Sequence, residues 1–201
     1  YEIMQLKFDT KVVQHSYLGN YAVNIFYNIL EDDYLKTLKE RTLELTEEDT
    51  MRHETNVQAN MTTYEKMIDD PVYDIFQKTV LSFLNTILVL RSPHLIVPKH
   101  VFYELWGMKF KKGQKTLVHH HMGAHWSGVF CIDTQENAAQ INFPEMDFSE
   151  NMIPNSLYLF PSMMLHSTNP YLGEKPRVAV SFNLADTHMF DVAQKFKKVG
   201  A

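Results

Sequence analysis

From Lys99 onward the apolar residues of this chain stop recurring every three or four positions and fall into short runs separated by turns. The runs read as strands at 101–110, 116–121, 126–132, 139–143, 156–160 and 177–183. A hairpin-like turn, Lys111-Lys112-Gly113-Gln114, joins the first two. This series limits the fold more than any other feature. Helices followed by a run of antiparallel strands suggest a jelly-roll or cupin-like barrel with the helices packed outside it. Small barrels of this kind hold a ligand in the mouth.

The helices come earlier. Glu31-Asp32-Asp33 opens a segment with Tyr34, Leu35, Leu38, Thr42 and Leu45 on one face, and acids at a helix start suit the macrodipole. Asp69-Asp70-Pro71 precedes a second helix that carries Ile75, Phe76, Val80, Phe83, Leu84, Ile87 and Leu88, and Arg91-Ser92-Pro93 stops it. The expected class is mainly β with N-terminal helices (α+β), folded as one domain over 1–201. Residues 1–98 supply helical support and the first strands; 99–190 form the barrel core with the site.

The bulk numbers exclude more than they assign. A net charge of -5 carries no basic excess, which argues against nucleic acid or an anionic membrane as the main partner. The longest apolar stretch, 75–90, is interrupted by Gln77, Lys78, Ser82, Asn85 and Thr86, too short and too polar to span a bilayer. A lone Cys131 cannot form an internal disulfide and fits a reducing compartment. No signal peptide is visible, although the chain starts at Tyr1 rather than Met, and a cytoplasmic location is the expectation.

Chemistry concentrates late in the chain. His119 and His121 share one face of a strand, because side chains alternate with period two, and His120 points away. A solvated His-rich turn would explain residues 119–125 taken alone. His166 changes that reading: it follows the apolar run Leu157-Tyr158-Leu159-Phe160 and a Pro161-Ser162 corner, and it precedes Asn169-Pro170. Three imidazoles suit Fe, Zn, Cu or Ni, and residue type alone does not choose among them. His125 reads as a surface or substrate-facing residue. Arg177 and Ser181, four apart on one strand face, can clamp a terminal carboxylate; taken alone, Arg177 also reads as a surface salt bridge to a neighbour such as Glu174.

In this order and spacing the pieces resemble the 2-oxoglutarate- and Fe(II)-dependent oxygenases, specifically the small bacterial and phage group related to prolyl hydroxylases. They are Trp106, Gly113, His119-x-His121, Trp126-Ser127-Gly128-Val129-Phe130, Leu159-Phe160-Pro161-Ser162, His166, Pro170 and Arg177 to Phe182-Asn183. The resemblance implies a double-stranded β-helix with the metal at one end. It puts His119 and His166 in the places of the family's two histidines, Arg177 on the distal carboxylate of 2-oxoglutarate, and Ser181 as the assisting hydroxyl. There are two departures. The wider superfamily has Asp or Glu where His121 stands, so either His121 is a third ligand in a three-histidine site or it stands behind the metal and another group or water completes the set. Glu104, Asp133 and Asp147 are the acids nearby, none at the right spacing. The second departure is Phe130-Cys131, where an aromatic pair usually brings a Tyr hydroxyl to 2-oxoglutarate; Tyr103 is the candidate replacement.

The expectation is therefore an Fe(II)- and 2-oxoglutarate-dependent hydroxylase that uses O₂ on an unactivated C–H bond and releases succinate and CO₂. The resemblance favours a peptidyl proline or other protein side chain, with a small molecule as the other substrate class. The polar, Met-containing segment 50–67 reads as a lid over the mouth or as a plain connection, and Trp106, Trp126 and Asn183 read as mouth-lining or core residues. Two rivals stand beside it: a three-histidine thiol dioxygenase of cupin type that needs no 2-oxoglutarate, and a cupin-like metal-binding module without activity.

Overall fold

The computed structural model describes residues 9–14, 22–48, 55–91, 94 and 98–187. Its elements run β1 (Asp9–Gln14), β2 (Ala22–Tyr27), α1 (Asp32–Glu48), β3 (Asn60–Met61), α2 (Asp74–Arg91), β4 (His100–Phe110), β5 (Trp126–Asp133), β6 (Gln140–Phe143), β7 (Phe148–Asn151), β8 (Ser156–Pro161), β9 (Ser167–Thr168) and β10 (Arg177–Asp186). Seven strands form an antiparallel sheet in the order β1-β2-β8-β5-β10-β4-β3, and a smaller sheet has the order β7-β6-β9. This is the expected double-stranded β-helix with helices outside it. Strands β1, β2 and β3 belong to the large sheet, so residues before 98 build the barrel as well as support it.

The large sheet is buried on both faces, and β10 shows how. Val178, Val180, Phe182 and Leu184 pack in the helix-side core, where Phe76 of α2 meets the rings of Phe102, Phe130 and Phe182. Ala179 turns the other way into the core between the sheets, with Trp106, Cys131, Ile141 and Phe143. Arg177, Ser181 and Asn183 alternate on that same inner side and are all buried. A central strand covered on both faces leaves its inward polar residues out of water, and such residues need a reason.

The helices follow their sequence signals. Asp70 accepts the Val72 N–H at the head of a short 3₁₀ turn that begins with Pro71 and leads into α2, and its other oxygen pairs with Arg41 of α1 at 2.7 Å. Leu38, Thr42 and Leu45 are buried, as are Phe76, Val80, Phe83, Leu84 and Ile87. Ile75 is on α2 as expected but is 57 % exposed. At roughly 100° per residue it sits about a quarter-turn off the stripe centred on Phe76, Phe83 and Ile87. Ser92 and Pro93, the expected helix stop, lie outside the described residues. Among the described residues no helix is long and apolar enough to cross a membrane.

The expected strand at 116–121 is corrected. The segment changes partner every two residues and never builds a ladder. The Leu117 N–H donates to Asn56, His119 and His166 exchange a pair of backbone bonds, and the His121 N–H donates to Ser162. The turn at 111–114 does form, with the Gln114 N–H donating to Lys111 and Gly113 at φ 84°, but no hairpin follows it. Residues 55–67 run along the β4 edge through bonds at Thr62, Tyr64 and Met67, as a hydrogen-bonded wall; 50–54 lie outside the described residues.

Candidate metal centre

The three histidines converge. The nitrogens that His119, His121 and His166 offer lie within 4.8 Å of one another. The reciprocal backbone bonds between residues 119 and 166 bring those two rings to 4.2 Å, and the His121 ring stands 4.8 and 5.2 Å from them. His119 and His121, two positions apart, face the same site even without a regular strand.

Two of the imidazoles are oriented by their own main chain. Nδ1 of His119 lies 2.8 Å from the Leu117 carbonyl, and Nδ1 of His166 lies 3.0 Å from the Met164 carbonyl. A carbonyl only accepts, so in both rings the proton sits on Nδ1 and Nε2 keeps its lone pair, the tautomer a metal ligand needs. His121 is held differently. Its Nδ1 faces Nδ2 of Asn183 at 3.3 Å; that same amide nitrogen donates to Glu104 Oε2 at 2.5 Å, and Asn183 Oδ1 accepts from Ser127 Oγ at 2.6 Å. The carboxylate missing from position 121 therefore reappears one amide away. Asp133 instead pairs with Lys39, and Asp147 closes a 3₁₀ turn in the left-handed region.

Burial keeps all three rings neutral. It pushes His166 well below the usual imidazole range, with added repulsion from His119 and His121. It pushes His121 down to about 3, again with the neighbouring rings adding, and it lowers His119 against a smaller opposing pull from the Leu117 carbonyl. Near neutral pH the cluster is therefore uncharged: His119 and His166 keep lone pairs on Nε2, whereas the Asn183 amide facing Nδ1 of His121 leaves that ring's proton on Nε2. His120 points away and is exposed, and His125 lies by Asp186 at 3.4 Å, outside the cluster.

Arg177 is the other anomaly. It is 2 % exposed, and no acid among the described residues pairs with it. Its guanidinium carbon sits 3.8 Å from the Phe110 ring centroid, Nη1 lies 3.3 Å from Met152 Sδ, and Nε has no partner among the described residues. The surface salt bridge is excluded: Glu174 pairs with Lys112. Burial pulls the guanidinium down to about 10, still a cation near neutral pH. A buried unpaired charge is costly and calls for an anion. Arg177 and Ser181 line one pocket with all three histidines and Trp106, and no Asp or Glu is among its walls.

Tyr103 is not in that inner pocket. The β4–β10 register shifts at Asn183/Leu184, pairing Asn183 with Glu104 and Leu184 with Phe102, so Tyr103 has no opposite residue. It lines a second hollow of about 430 Å³, outside the histidines, with Tyr64, Glu104, Met122 and Asn183. Sequence reasoning weighed Asn183 and Trp106 only as mouth or core residues. Parity along β10 was a usable signal for Asn183; nothing in the sequence reveals its bond to Glu104, which depends on register.

No family profile matches the sequence, and no curated protein matches it. Solved structures do. The viral collagen prolyl hydroxylase of Paramecium bursaria Chlorella virus-1, in its 2-oxoglutarate complex, matches at TM-score 0.62 and 14% identity, over 81% of this chain and 94% of that one. A prolyl hydroxylase with a peptide fragment of the hypoxia inducible factor oxygen degradation domain, from Trichoplax adhaerens, matches at 0.62 and 13%, over 85% and 86%. SnoN, the non-heme alpha-ketoglutarate-dependent epimerase of nogalamycin biosynthesis, matches at 0.66 and 8%, over 83% and 78%. At these identities the likeness is one of fold, and the chain has that fold.

Proposed function

We propose that this chain is an Fe(II)- and 2-oxoglutarate-dependent dioxygenase that hydroxylates an unactivated C–H bond, on a peptidyl residue such as proline. One observation carries the reading: three neutral imidazoles share a pocket with a buried, unpaired arginine. The donor set fits a divalent metal, and the stranded cation fits the far carboxylate of a keto diacid. Prolyl hydroxylases among the structural neighbours support the substrate class, one of them bound to a peptide.

On this reading His119, His121 and His166 hold the metal through neutral nitrogens on one side and leave its other positions open. When bound, Fe(II) with 2-oxoglutarate and O₂ supplies the oxidising chemistry: the keto acid becomes succinate and CO₂, and one oxygen atom enters the C–H bond. The chain does the rest. Arg177 binds the distal carboxylate and Ser181 lends a hydroxyl; Val129, Ile141 and Met108 wall the anion off from water, which strengthens the charge pairing. The Glu104 carboxylate, reached through Asn183, supplies negative charge near a metal that three imidazoles leave fully charged. The outer hollow takes the substrate.

Anaerobic titration of 2-oxoglutarate into the Fe(II)-loaded protein tests this. A saturable metal-to-ligand charge-transfer band is expected, and His166→Ala should lose both band and metal, its affinity falling at least about a hundredfold. Full iron occupancy with no band would overturn the reading. The three-histidine set favours one rival, a thiol dioxygenase independent of 2-oxoglutarate, and turnover without the keto acid would identify it.

A further inference from the structure

Among the described residues two nitrogen donors of the inner pocket have no hydrogen-bond partner: Arg177 Nε and the indole Nε1 of Trp106. Their residues are 2 % and 3 % exposed, so bulk solvent does not reach either group. An indole N–H can only donate, and in a native interior it almost always has an acceptor. The anion proposed for Arg177 answers the first orphan. It does not by itself answer the second.

The two donors mark different ends of the pocket. Across the β4–β10 ladder Arg177 stands opposite Phe110, whereas Trp106 stands opposite Ser181. The Trp106 ring lies 5.9 Å from the His121 ring, on the metal side. Tyr64 packs edge-on against it, with ring centroids 5.2 Å apart and planes at 81°, which hinders any swing toward an acceptor elsewhere. Acidic side chains are missing from the pocket walls. Tyr103, the residue the sequence offered as a donor to the guest, faces the outer hollow instead.

We propose that the Trp106 indole N–H donates a hydrogen bond to the metal-side oxygens of the anion whose far carboxylate Arg177 holds. This rests on the 2-oxoglutarate reading above. It makes Trp106 a binding residue, and it makes the pocket selective for guests with oxygen acceptors at both ends over monocarboxylates that satisfy Arg177 alone.

The test uses ¹⁵N-labelled protein loaded with Zn(II), a diamagnetic stand-in for iron. The chain has two tryptophans, so two indole signals appear, and Trp106→Phe assigns them. Trp126 lies in the helix-side core and serves as the control. On adding 2-oxoglutarate, the Trp106 indole proton should move downfield and exchange more slowly with solvent, the Arg177 Nε–H signal should move as well, and Trp126 should stay. In parallel, Trp106→Phe keeps an apolar ring but loses the donor, and should weaken 2-oxoglutarate about tenfold. A response at Arg177 with Trp106 unmoved, or an unchanged affinity in the folded variant, overturns the proposal and leaves the oxygenase reading standing. No response at either donor overturns both.

Discussion

The two cavities that meet at the histidines are built in opposite ways. The inner pocket is made largely by strands: Trp106 and Met108 of β4, Gly128 and Val129 of β5, Ile141 of β6, and Arg177 and Ser181 of β10. It is rich in donors and has no acid. The outer hollow draws on connecting segments, Asn56, Val57 and Tyr64 on one side and Met122 and Ala124 on the other, and it contains Glu104. Met122 there is 76 % exposed. Val57, His119, His121 and Trp106 belong to both. Strand parity fixes the inner pocket's chemistry and does not permit much variation; loop sequence shapes the outer one. On the proposed function this separates a fixed co-substrate socket from an adaptable substrate face.

The largest expected effect breaks the inner pocket alone. Arg177→Met removes the anion clamp but keeps the volume and the contacts with Phe110 and Met152. Binding of 2-oxoglutarate should fall about a hundredfold, the loss of a charge-assisted bidentate contact, while Zn(II) affinity stays put. Stability should move the other way. The ligand-free fold holds Arg177 as a buried cation without an acid, so an apolar replacement should raise its thermal midpoint by about 2–4 °C, about 1 kcal/mol in a domain of this size. Calorimetry of ligand-free protein checks the sign. A lower midpoint would mean that the stacking on Phe110 outweighs the desolvation of the charge.

Those same residues show how far the sequence could be read. His166, Arg177 and Ser181 were legible because a central strand and its neighbouring corner place side chains by parity: the β10 ladder with β4 stays in register through Asn183, although the one with β5 shifts at Val178/Ala179. The facing of His119 and His121 was legible for an incomplete reason. Their segment is extended but borrows partners from Asn56, His166 and Ser162 in turn, and such partners lie far off in sequence. Tyr103 was misplaced against parity: it lies an odd three residues from Trp106, whose side chain enters the core between the sheets, and it sits at the β4 irregularity, which nothing local announces. Gly128 has its reason only in the folded state: a Cβ there would stand 2.2 Å from the Phe182 ring. Glu104 could be named as an acid near the site, but its tie to His121 passes through Asn183, across a ladder no local pattern specifies.

A finer cut compares two residues on one face of β10. Asn183 touches His121 and lines the outer hollow; Ser181 lines the inner pocket beside Met108, 4.0 Å from its sulfur. Asn183→Ala should weaken metal binding about tenfold, the usual consequence of removing a partner that orients a ligating imidazole. Ser181→Ala should leave metal affinity unchanged and weaken 2-oxoglutarate only a few-fold, as for one hydroxyl contact. Zn(II) competition titrations on both variants measure this. Equal metal affinities would show that His121 needs no support from Asn183, and the two cavities would then be less distinct than their walls suggest.

A comparison of a different kind probes the shared wall through protons. Burial holds the folded His121 at about 3, whereas an unfolded imidazole titrates near about 6.5. Between those values the unfolded chain binds more protons than the folded one, so this ring contributes stability above about pH 6.5 that is lost progressively as pH falls toward 3. His121→Gln removes that dependence together with the smaller repulsion that His121 exerts on His166, while carboxylates elsewhere affect both proteins alike. Urea midpoints of chelator-treated wild type and variant should therefore lie furthest apart above pH 6.5 and draw together on acidification. Parallel curves would mean that His121 takes up protons as readily folded as unfolded. The ring would then stand open to the wet outer hollow, and the neutral three-imidazole face that the inner pocket relies on would lose one of its members.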